Sequence, residues 1–174
     1  MDITGREVAR LAHQGIVYAL AFSPDGALVA TGSEDNTARV FEARTGREIA
    51  RLAHQDNVVA VAFSPDGRLV ATRSVDNTAR AFEAGTGREV ARLALGEPVR
   101  DVDFASGGRF LRAVSGTTNL LITEAPVGAS DLIVDACSKL NRNLTRKEWT
   151  TYLGALPYSE TCQQLNPAVQ SKQR

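Results

Sequence analysis

Residues 45–85 read TGREIARLAHQDNVVAVAFSPDGRLVATRSVDNTARAFEAG, and this stretch decides the fold. Residues 4–44 repeat it with about 10 differences in roughly 41 positions, and a more divergent third copy starts at Thr86. A unit of this length repeated in tandem is typical of architectures in which each copy forms one supersecondary unit. We therefore interpret each residue by its place in the repeat.

Each copy contains short apolar runs bounded by turn signals. In the second copy these runs are residues 58–63, 69–72, 78–82 and 89–93, each with the length of a strand. The clearest turn is Ser-Pro-Asp-Gly at 64–67, because proline presets the first central position and glycine adopts positive φ at little cost. Four short strands joined by tight turns predict a four-stranded antiparallel sheet, the blade of a β-propeller. A parallel sheet is excluded because no segment between the strands could form the crossover helix it needs.

At these residues the chain resembles the WD40 family. The matching pattern in the second copy consists of His54, FSPDG at 63–67 and SVDNTARAFE at 74–83, and the first copy shows the same landmarks from His13 onward. The resemblance covers about 120 residues. It implies an all-β fold with a small α tail, in which residues 1–125 form a partial propeller of about three four-stranded antiparallel blades.

In WD40 proteins a buried network of histidine, aspartate, serine and tryptophan ties each blade together. Here phenylalanine replaces the tryptophan and donates no hydrogen bond, so we expect a shorter network. One histidine per repeat at a constant offset favours a structural role over that of a metal ligand or base. The third copy keeps only Ser115 of this set and is expected to be a degenerate blade. The predicted structural residues are His13, Ser33, Asp35 and Phe41 in the first copy and His54, Ser74, Asp76 and Phe82 in the second.

The predicted strands form an incomplete array. It begins with an outer strand at residues 7–11 that belongs to no blade and ends with a third blade that has no outer strand. Closed propellers typically have four to eight blades. One interpretation is that the chain is the C-terminal part of a longer propeller, which the near-identity of the first two copies favours. The alternative is head-to-tail assembly, in which residues 7–11 complete the third blade of a second copy and a dimer has six blades.

The 41-residue period ends near Ala125, and residues 126–174 are predicted to be a helical extension with a disordered end. Ser130 can cap a first helix over residues 131–140. A second helix starts at Thr145, because Thr-Arg-Lys-Glu at 145–148 fits the capping box. The prediction is therefore of two short helices after the blades.

The tail also carries a resemblance of its own. RNLTRKEWTTYLG at 142–154 and PYSETC at 157–162 look like the C-terminal extension of large bacterial signalling proteins that join a STAND-type NTPase to a WD40 sensor. This chain has no glycine-rich loop ending in Lys-Ser or Lys-Thr, so NTP hydrolysis is not expected from it. Cys137 and Cys162 are interpreted as buried free thiols or as a disulfide, and reactive chemistry is disfavoured.

The composition excludes several function classes. The 20 Lys and Arg residues balance the 20 Asp and Glu residues, so no net charge favours nucleic acid or an anionic membrane. No apolar run approaches roughly 18 residues and the N-terminus does not resemble a signal peptide, so a cytoplasmic protein is expected. Asp101 and Asp103 could act as an acid–base pair, but the sequence supplies no nucleophile, metal cluster or phosphate loop beside them. We therefore expect no enzyme, cofactor or metal.

The remaining function class is a scaffold for a protein or peptide partner. Positions that differ between near-identical copies are positions that the fold does not dictate, and the WD40 resemblance places them around one mouth of the channel, where partners dock. Neutral loop drift is the alternative interpretation. A second functional hypothesis is a regulatory sensor segment of a STAND-type protein. The candidate partner-binding residues are Tyr18, Glu34, Asp56, Asn57, Val59 and Arg73, with Arg100 in the third copy.

Overall fold

The computed structural model of the chain describes residues 5–128, which form strands and one 3-10 turn at Ser106–Gly108. The chain divides into two units between Ala125 and Pro126, and the sheets belong to the first unit. The predicted helices and both cysteines lie outside the described residues. The strands are β1 (Val17–Phe22), β2 (Leu28–Ser33), β3 (Thr37–Glu42), β4 (Glu48–Ala53), β5 (Val58–Phe63), β6 (Leu69–Ser74), β7 (Thr78–Glu83), β8 (Glu89–Ala94), β9 (Val99–Ala105), β10 (Phe110–Ser115) and β11 (Leu121–Pro126).

The strands assemble into three sheets that follow the sequence repeat. Blade 1 has the order β1-β2-β3-β4, blade 2 has β5-β6-β7-β8, and blade 3 has β9-β10-β11. The predicted all-β architecture of antiparallel blades is confirmed. Blades 1 and 2 have the four strands expected of them, whereas blade 3 has three among the described residues.

The predicted strand at residues 7–11 is not observed, because this segment takes part in no sheet. A strand requires a neighbour for its backbone hydrogen bonds, and the described residues offer it none. Its position is nevertheless that of an outer strand. A Cβ added to Gly46 would lie 3.0 Å from Arg10 O, just as one added to Gly87 would lie 3.5 Å from Arg51 O in β4. The segment therefore lies against blade 1 as β4 lies against blade 2.

The Ser-Pro-Asp-Gly turns join the first two strands of blades 1 and 2. Ser23 Oγ donates to Asp25 Oδ1 at 2.6 Å, and Gly26 adopts a φ of 68°. One repeat later, Ser64 Oγ donates to Asp66 Oδ1, also at 2.6 Å. An aspartate that satisfies local donors and a glycine at positive φ fix a tight turn, so the register of the paired strands is the same in both blades.

One cluster of the core lies between blades 1 and 2. Ala30, Val40 and Leu52 of blade 1 are almost fully buried, and Val61 and Phe63 of blade 2 pack against this cluster. Burial of apolar surface contributes about 25 cal/mol per Å², so stacking of successive sheets is the main source of stability. A blade is thus stable because of its neighbour.

The two junctions between blades differ at one position of β2 and β6. A Cβ on Gly32 would lie 2.8 Å from Val58 O, so blade 2 approaches blade 1 more closely than any side chain at this position allows. The equivalent position at the next junction is Arg73, whose Nη1 donates to Val99 O at 2.8 Å. A close backbone contact in the first junction is replaced by a side-chain hydrogen bond in the second.

Candidate functional site

The histidine of blade 1 lies in a buried polar network. His13 Nδ1 is 3.0 Å from Asp35 Oδ2, and its Nε2 is 2.6 Å from Thr31 Oγ1. Arg39 Nη2 donates to the same Asp35 oxygen at 2.7 Å, and Arg39 Nη1 donates to Ala12 O at 3.1 Å. The network therefore joins the loop before β1 to β2, β3 and the turn between them.

Blade 2 repeats this arrangement with one change. His54 Nε2 is 2.9 Å from Thr72 Oγ1, and Arg80 Nη2 donates to Asp76 Oδ2 at 2.7 Å. Arg80 Nη1 donates to Ala53 O at 3.3 Å, one repeat after the contact of Arg39 with Ala12. However, His54 Nδ1 lies 3.6 Å from Asp76 Oδ2 and has no hydrogen-bond partner.

The hydroxyl that contacts each imidazole is not the one selected from the sequence. Ser33 Oγ accepts the backbone N–H of Asp35 at 3.2 Å and does not contact His13, which is bonded to Thr31 instead. Ser74 likewise accepts from the N–H of Asp76 at 3.1 Å and donates to Asp56 O at 2.9 Å. The two serines therefore order the turn, and the threonines two residues earlier hold the rings.

Sequence reasoning also missed two buried arginines. Arg39 and Arg80 have side chains only 8% and 6% exposed, and each pairs with the aspartate four residues earlier. A signal was present, because Thr31, Arg39 and their counterparts Thr72 and Arg80 are identical between the copies at the repeat offset. Identity alone did not separate them from the many other invariant positions.

Phenylalanine fills the place of the family's tryptophan. The ring of Phe41 packs edge-on against His13 with centroids 6.1 Å apart, and Phe82 packs against His54 at 5.8 Å. Edge-to-face aromatic contacts contribute about 0.5–1.5 kcal/mol beyond area burial. The rings thus retain the packing role of the indole without its N–H donor.

Burial and hydrogen bonding shift the pKa values of this network. Burial opposes ionisation of Asp35, but the donors Thr37, Gln14 and His13 outweigh it and hold the pKa of this carboxyl well below its usual range. The same balance lowers the pKa of Asp76 to about 2. Burial, followed by the charge of Arg80, lowers the pKa of His54 to about 4. Both aspartates are therefore ionised and His54 is neutral at pH 7.

The histidines have no access to a substrate. The side chain of His13 is 1% exposed and that of His54 is 0% exposed. Within residues 5–128, no group of three histidine, cysteine or acidic side chains is placed to hold a metal ion, and no helix is long and apolar enough to cross a membrane. Both networks connect strands and loops within and between the blades.

The candidate partner-binding residues lie together at one end of the blades. Tyr18, Val59 and Arg100 occupy equivalent β-bulges in β1, β5 and β9, where the register shifts and the residue has no opposite partner. Bulges re-aim a side chain relative to the sheet. We call this end the bulge-end surface, and it comprises Tyr18, Glu34, Asp56, Asn57, Val59, Arg73 and Arg100.

The loops of the bulge-end surface are joined by backbone hydrogen bonds. Glu34 N–H donates to Ile16 O at 2.8 Å, and Val75 N–H donates to Asn57 O at 2.9 Å one repeat later. In blade 3, Gly116 N–H donates to Pro98 O at 3.0 Å, and Arg100 Nε donates to Gly116 O at 2.8 Å. These contacts hold the loop before the first strand against the turn after the second in every blade.

The side chains of this surface differ in charge and in exposure. Tyr18 is 45% exposed, Glu34 and Arg100 are exposed, and Asp56 is half-buried. Burial lowers the pKa of Arg73, and the charge of Asp101 opposes this effect. The surface thus combines an aromatic ring with acidic and basic groups, a mixture suited to a polypeptide and not to a uniformly charged polymer.

Comparison with known proteins agrees with this geometry. Residues 5–42 and 46–83 match the sequence profile of the WD40 family, described as "WD domain, G-beta repeat". These two segments are WD40 repeats. Each match runs from the segment before a blade through its third strand, so the profile spans the network described above.

Two of the solved structures that share the fold of the blades are computationally designed proteins. The crystal structure of the computationally designed Ika4 protein is 23% identical, with a TM-score of 0.60, and the match covers 72% of this chain and 81% of that one. The computationally designed Ika8 protein is 26% identical with a TM-score of 0.59, over 69% of this chain and 37% of that one. No curated protein matches the sequence. WD40 repeats indicate a scaffold of the protein-interaction type, and such domains are generally non-catalytic.

Proposed function

We propose that this chain is a non-catalytic WD40 scaffold of the cytoplasm that binds a protein or peptide through the bulge-end surface. One observation carries the proposal. Five of the ten positions that differ between the first two copies lie at the bulge end of the blades, and the bulge position carries tyrosine, valine and arginine in turn. Variation at the exposed bulge position changes the side chain offered to a partner while the strand pairing is kept.

The side chains of the bulge-end surface indicate which charges a partner should carry. Glu34 and Asp56 provide carboxylates in the first two blades, and Arg100 provides a cation in the third. Tyr18 adds a half-exposed aromatic ring, a side chain that is enriched in protein interfaces. A peptide with a basic segment toward blades 1 and 2 and an acidic group toward blade 3 fits this distribution.

Peptide selection on the intact chain tests the proposal. Peptides are selected from a random display library, and their affinity is measured for Asp56→Lys and Arg100→Glu. We expect each variant to bind at least tenfold more weakly, with an unchanged melting temperature for Asp56→Lys and a lower one for Arg100→Glu, which also loses the hydrogen bond to Gly116 O. Arg68→Glu is the matched control, because it reverses an exposed charge in the turn at the opposite end of blade 2. Equal binding by all variants removes the bulge-end surface from the site.

The tail supports a second function, a regulatory sensor segment of a larger bacterial STAND-type NTPase or effector. Its basis is the resemblance of residues 142–154 and 157–162 to the extension of such proteins. The discriminating observation is genomic: a reading frame continuous with this one that encodes further blades and a phosphate-binding loop favours the sensor function. In that arrangement the partner of the blades is the effector module of the same protein.

A further inference from the structure

Blade 1 has an apolar face that no described blade covers. Leu20 and Phe22 are 56% and 61% exposed. One repeat later the equivalent residues are Val61 and Phe63, and these pack into the core between blades 1 and 2. The face of Leu20 and Phe22 therefore has the composition and geometry of a contact between blades, without the second blade.

Part of that missing blade is present in the chain. Residues 7–11 lie where its outer strand belongs, as the contact of Gly46 with Arg10 shows. The hydrogen bond from Arg39 to Ala12 O repeats the one from Arg80 to Ala53 O, at the end of the true outer strand β4. The described residues thus contain a segment in the place of an outer strand, without the other three strands of that sheet.

The opposite end of the array has the complementary deficit. Blade 3 is a three-stranded sheet, and β11 has β10 on one side and no described strand on the other. Ile122 of β11 and Leu120 just before this strand are 65% and 66% exposed, whereas Ala79, which holds in β7 the place of Ile122 in β11, is fully buried. Among residues 5–128, blade 3 therefore has no outer strand, and Leu120 and Ile122 expose apolar surface at its last strand.

We propose that a second copy of this chain covers both ends, with two copies forming a six-bladed ring. Blade 3 of each copy stacks its Leu120 and Ile122 face on Leu20 and Phe22 of the other, and residues 7–11 pair with β11 as the fourth strand of that blade. A single head-to-tail contact therefore supplies the fourth strand of blade 3 and covers the apolar faces at both ends of the array. The inference rests on the blade architecture and is independent of the bulge-end surface.

One ion pair distinguishes this contact from the junctions within the chain. In blades 1 and 2 an alanine pair occupies the same cross-strand position, Ala62 with Ala71 in blade 2, whereas blade 3 has Asp103 with Arg112. The pair is bidentate and its side chains are 45% and 40% exposed. Because each charge has its partner, the pair can be covered as a unit.

Sedimentation equilibrium of the full chain tests the ring. We expect a species of twice the 18.6 kDa chain mass. A head variant (Leu20→Asp with Phe22→Asp) and a tail variant (Leu120→Asp with Ile122→Asp) should each be monomeric. Mixing the two should restore a heterodimer, because one unaltered head still meets one unaltered tail. Reassociation also shows that both variants remain folded.

A proline variant tests the pairing of residues 7–11 with β11. A substitution of Val75 is the control for the variants of the apolar faces. Ala9→Pro with Arg10→Pro should weaken the dimer at least tenfold, because one of two successive N–H groups must face β11. Val75→Asp should leave it intact, since Val75 is 51% exposed and lies on neither face. A monomeric wild type, a dimer that survives the head or tail substitutions, or a mixture that stays monomeric overturns the proposal. Asp56→Lys should keep the dimer mass, so failure of the partner site and failure of the ring are distinguishable.

Discussion

The Nδ1 atom of His54 lies 3.6 Å from Oδ2 of Asp76, too far for a hydrogen bond, although the equivalent atoms of His13 and Asp35 are 3.0 Å apart. A nitrogen in a buried ring without a partner is costly to protonate. Burial and the nearby charge of Arg80 accordingly lower the pKa of His54 to about 4. Acid sensitivity of blade 2 is therefore expected at His54.

Stability should fall as the pH decreases from about 6.5 to about 4. In this window the unfolded chain protonates His54, whose ordinary pKa is about 6.5, and the folded chain does not. The unfolded state binds the extra proton, so acidification favours unfolding by up to about 3 kcal/mol across the window. Below an unfolded pKa of about 3.8, protonation of Asp76 adds a further loss, because its folded pKa is about 2. Urea denaturation at a series of pH values measures both losses in the free energy of unfolding.

The variant His54→Gln tests whether His54 causes the loss of stability between pH 6.5 and 4. It should be less stable than the wild type at pH 7.5, because it loses the ring contact with Phe82. Its stability should nevertheless vary less between pH 6.5 and 4. An unchanged pH profile would assign the acid sensitivity to other groups.

The ion pair of Arg80 and Asp76 should contribute far more to stability than the pair of Arg92 and Glu89 in the same blade. Both side chains of the first pair are 6% exposed, whereas those of the second are 47% and 30% exposed. Arg80→Ala leaves a buried carboxylate without its cation and should cost about 3–5 kcal/mol. Arg92→Ala should cost under about 1 kcal/mol. Denaturant unfolding of both variants checks this, and equal losses would contradict a buried network.

Gly32→Ala should destabilise the junction between blades 1 and 2. The added Cβ would lie 2.8 Å from Val58 O, so the blades must separate, at about 1–3 kcal/mol. Gly85→Ala is the control, since a Cβ there meets nothing within 4 Å. The difference in melting temperature between the two variants is the measurement. A tolerated Gly32→Ala would mean that the junction adjusts without cost.

Thr72→Val should destabilise the fold although it preserves side-chain volume. Thr72 is fully buried and its hydroxyl is the partner of His54 Nε2, so the change leaves a buried ring nitrogen unpaired at about 1–3 kcal/mol. Thr86→Val is the matched change at an exposed threonine, whose hydroxyl donates to Glu83. We expect it to alter the free energy of unfolding by no more than about 0.5 kcal/mol. Losses of similar size would show that the hydroxyl of Thr72 has no special role.

The sheet could be predicted from sequence because its signals are local. The run at 58–63 coincides with β5, and the Ser-Pro-Asp-Gly turn before β6 is where the sequence places it. Residues 7–11 carry the same kind of pattern without forming a strand, because pairing depends on a neighbour and not on the segment itself. Local pattern therefore predicts which residues can pair, and only the assembly determines which do.

The network was harder to predict for a geometric reason. Thr31 and Ser33 are two residues apart on β2, so both hydroxyls lie on the same face, and sequence offers no basis for choosing between them. The choice depends on how far the loop carrying His13 reaches along the strand. The bulges at Tyr18, Val59 and Arg100 were equally hidden, because a register shift requires two strands to be compared in space.

Those bulges have a consequence for how such a chain acquires new specificity. A bulged residue has no opposite partner in the ladder, so its side chain is released from the cross-strand pairing that constrains its neighbours. An aromatic, an aliphatic and a cationic side chain already occupy this position in successive blades of nearly identical backbone pairing. Gene duplication followed by one substitution per blade can therefore redirect recognition while the sheets themselves stay unaltered.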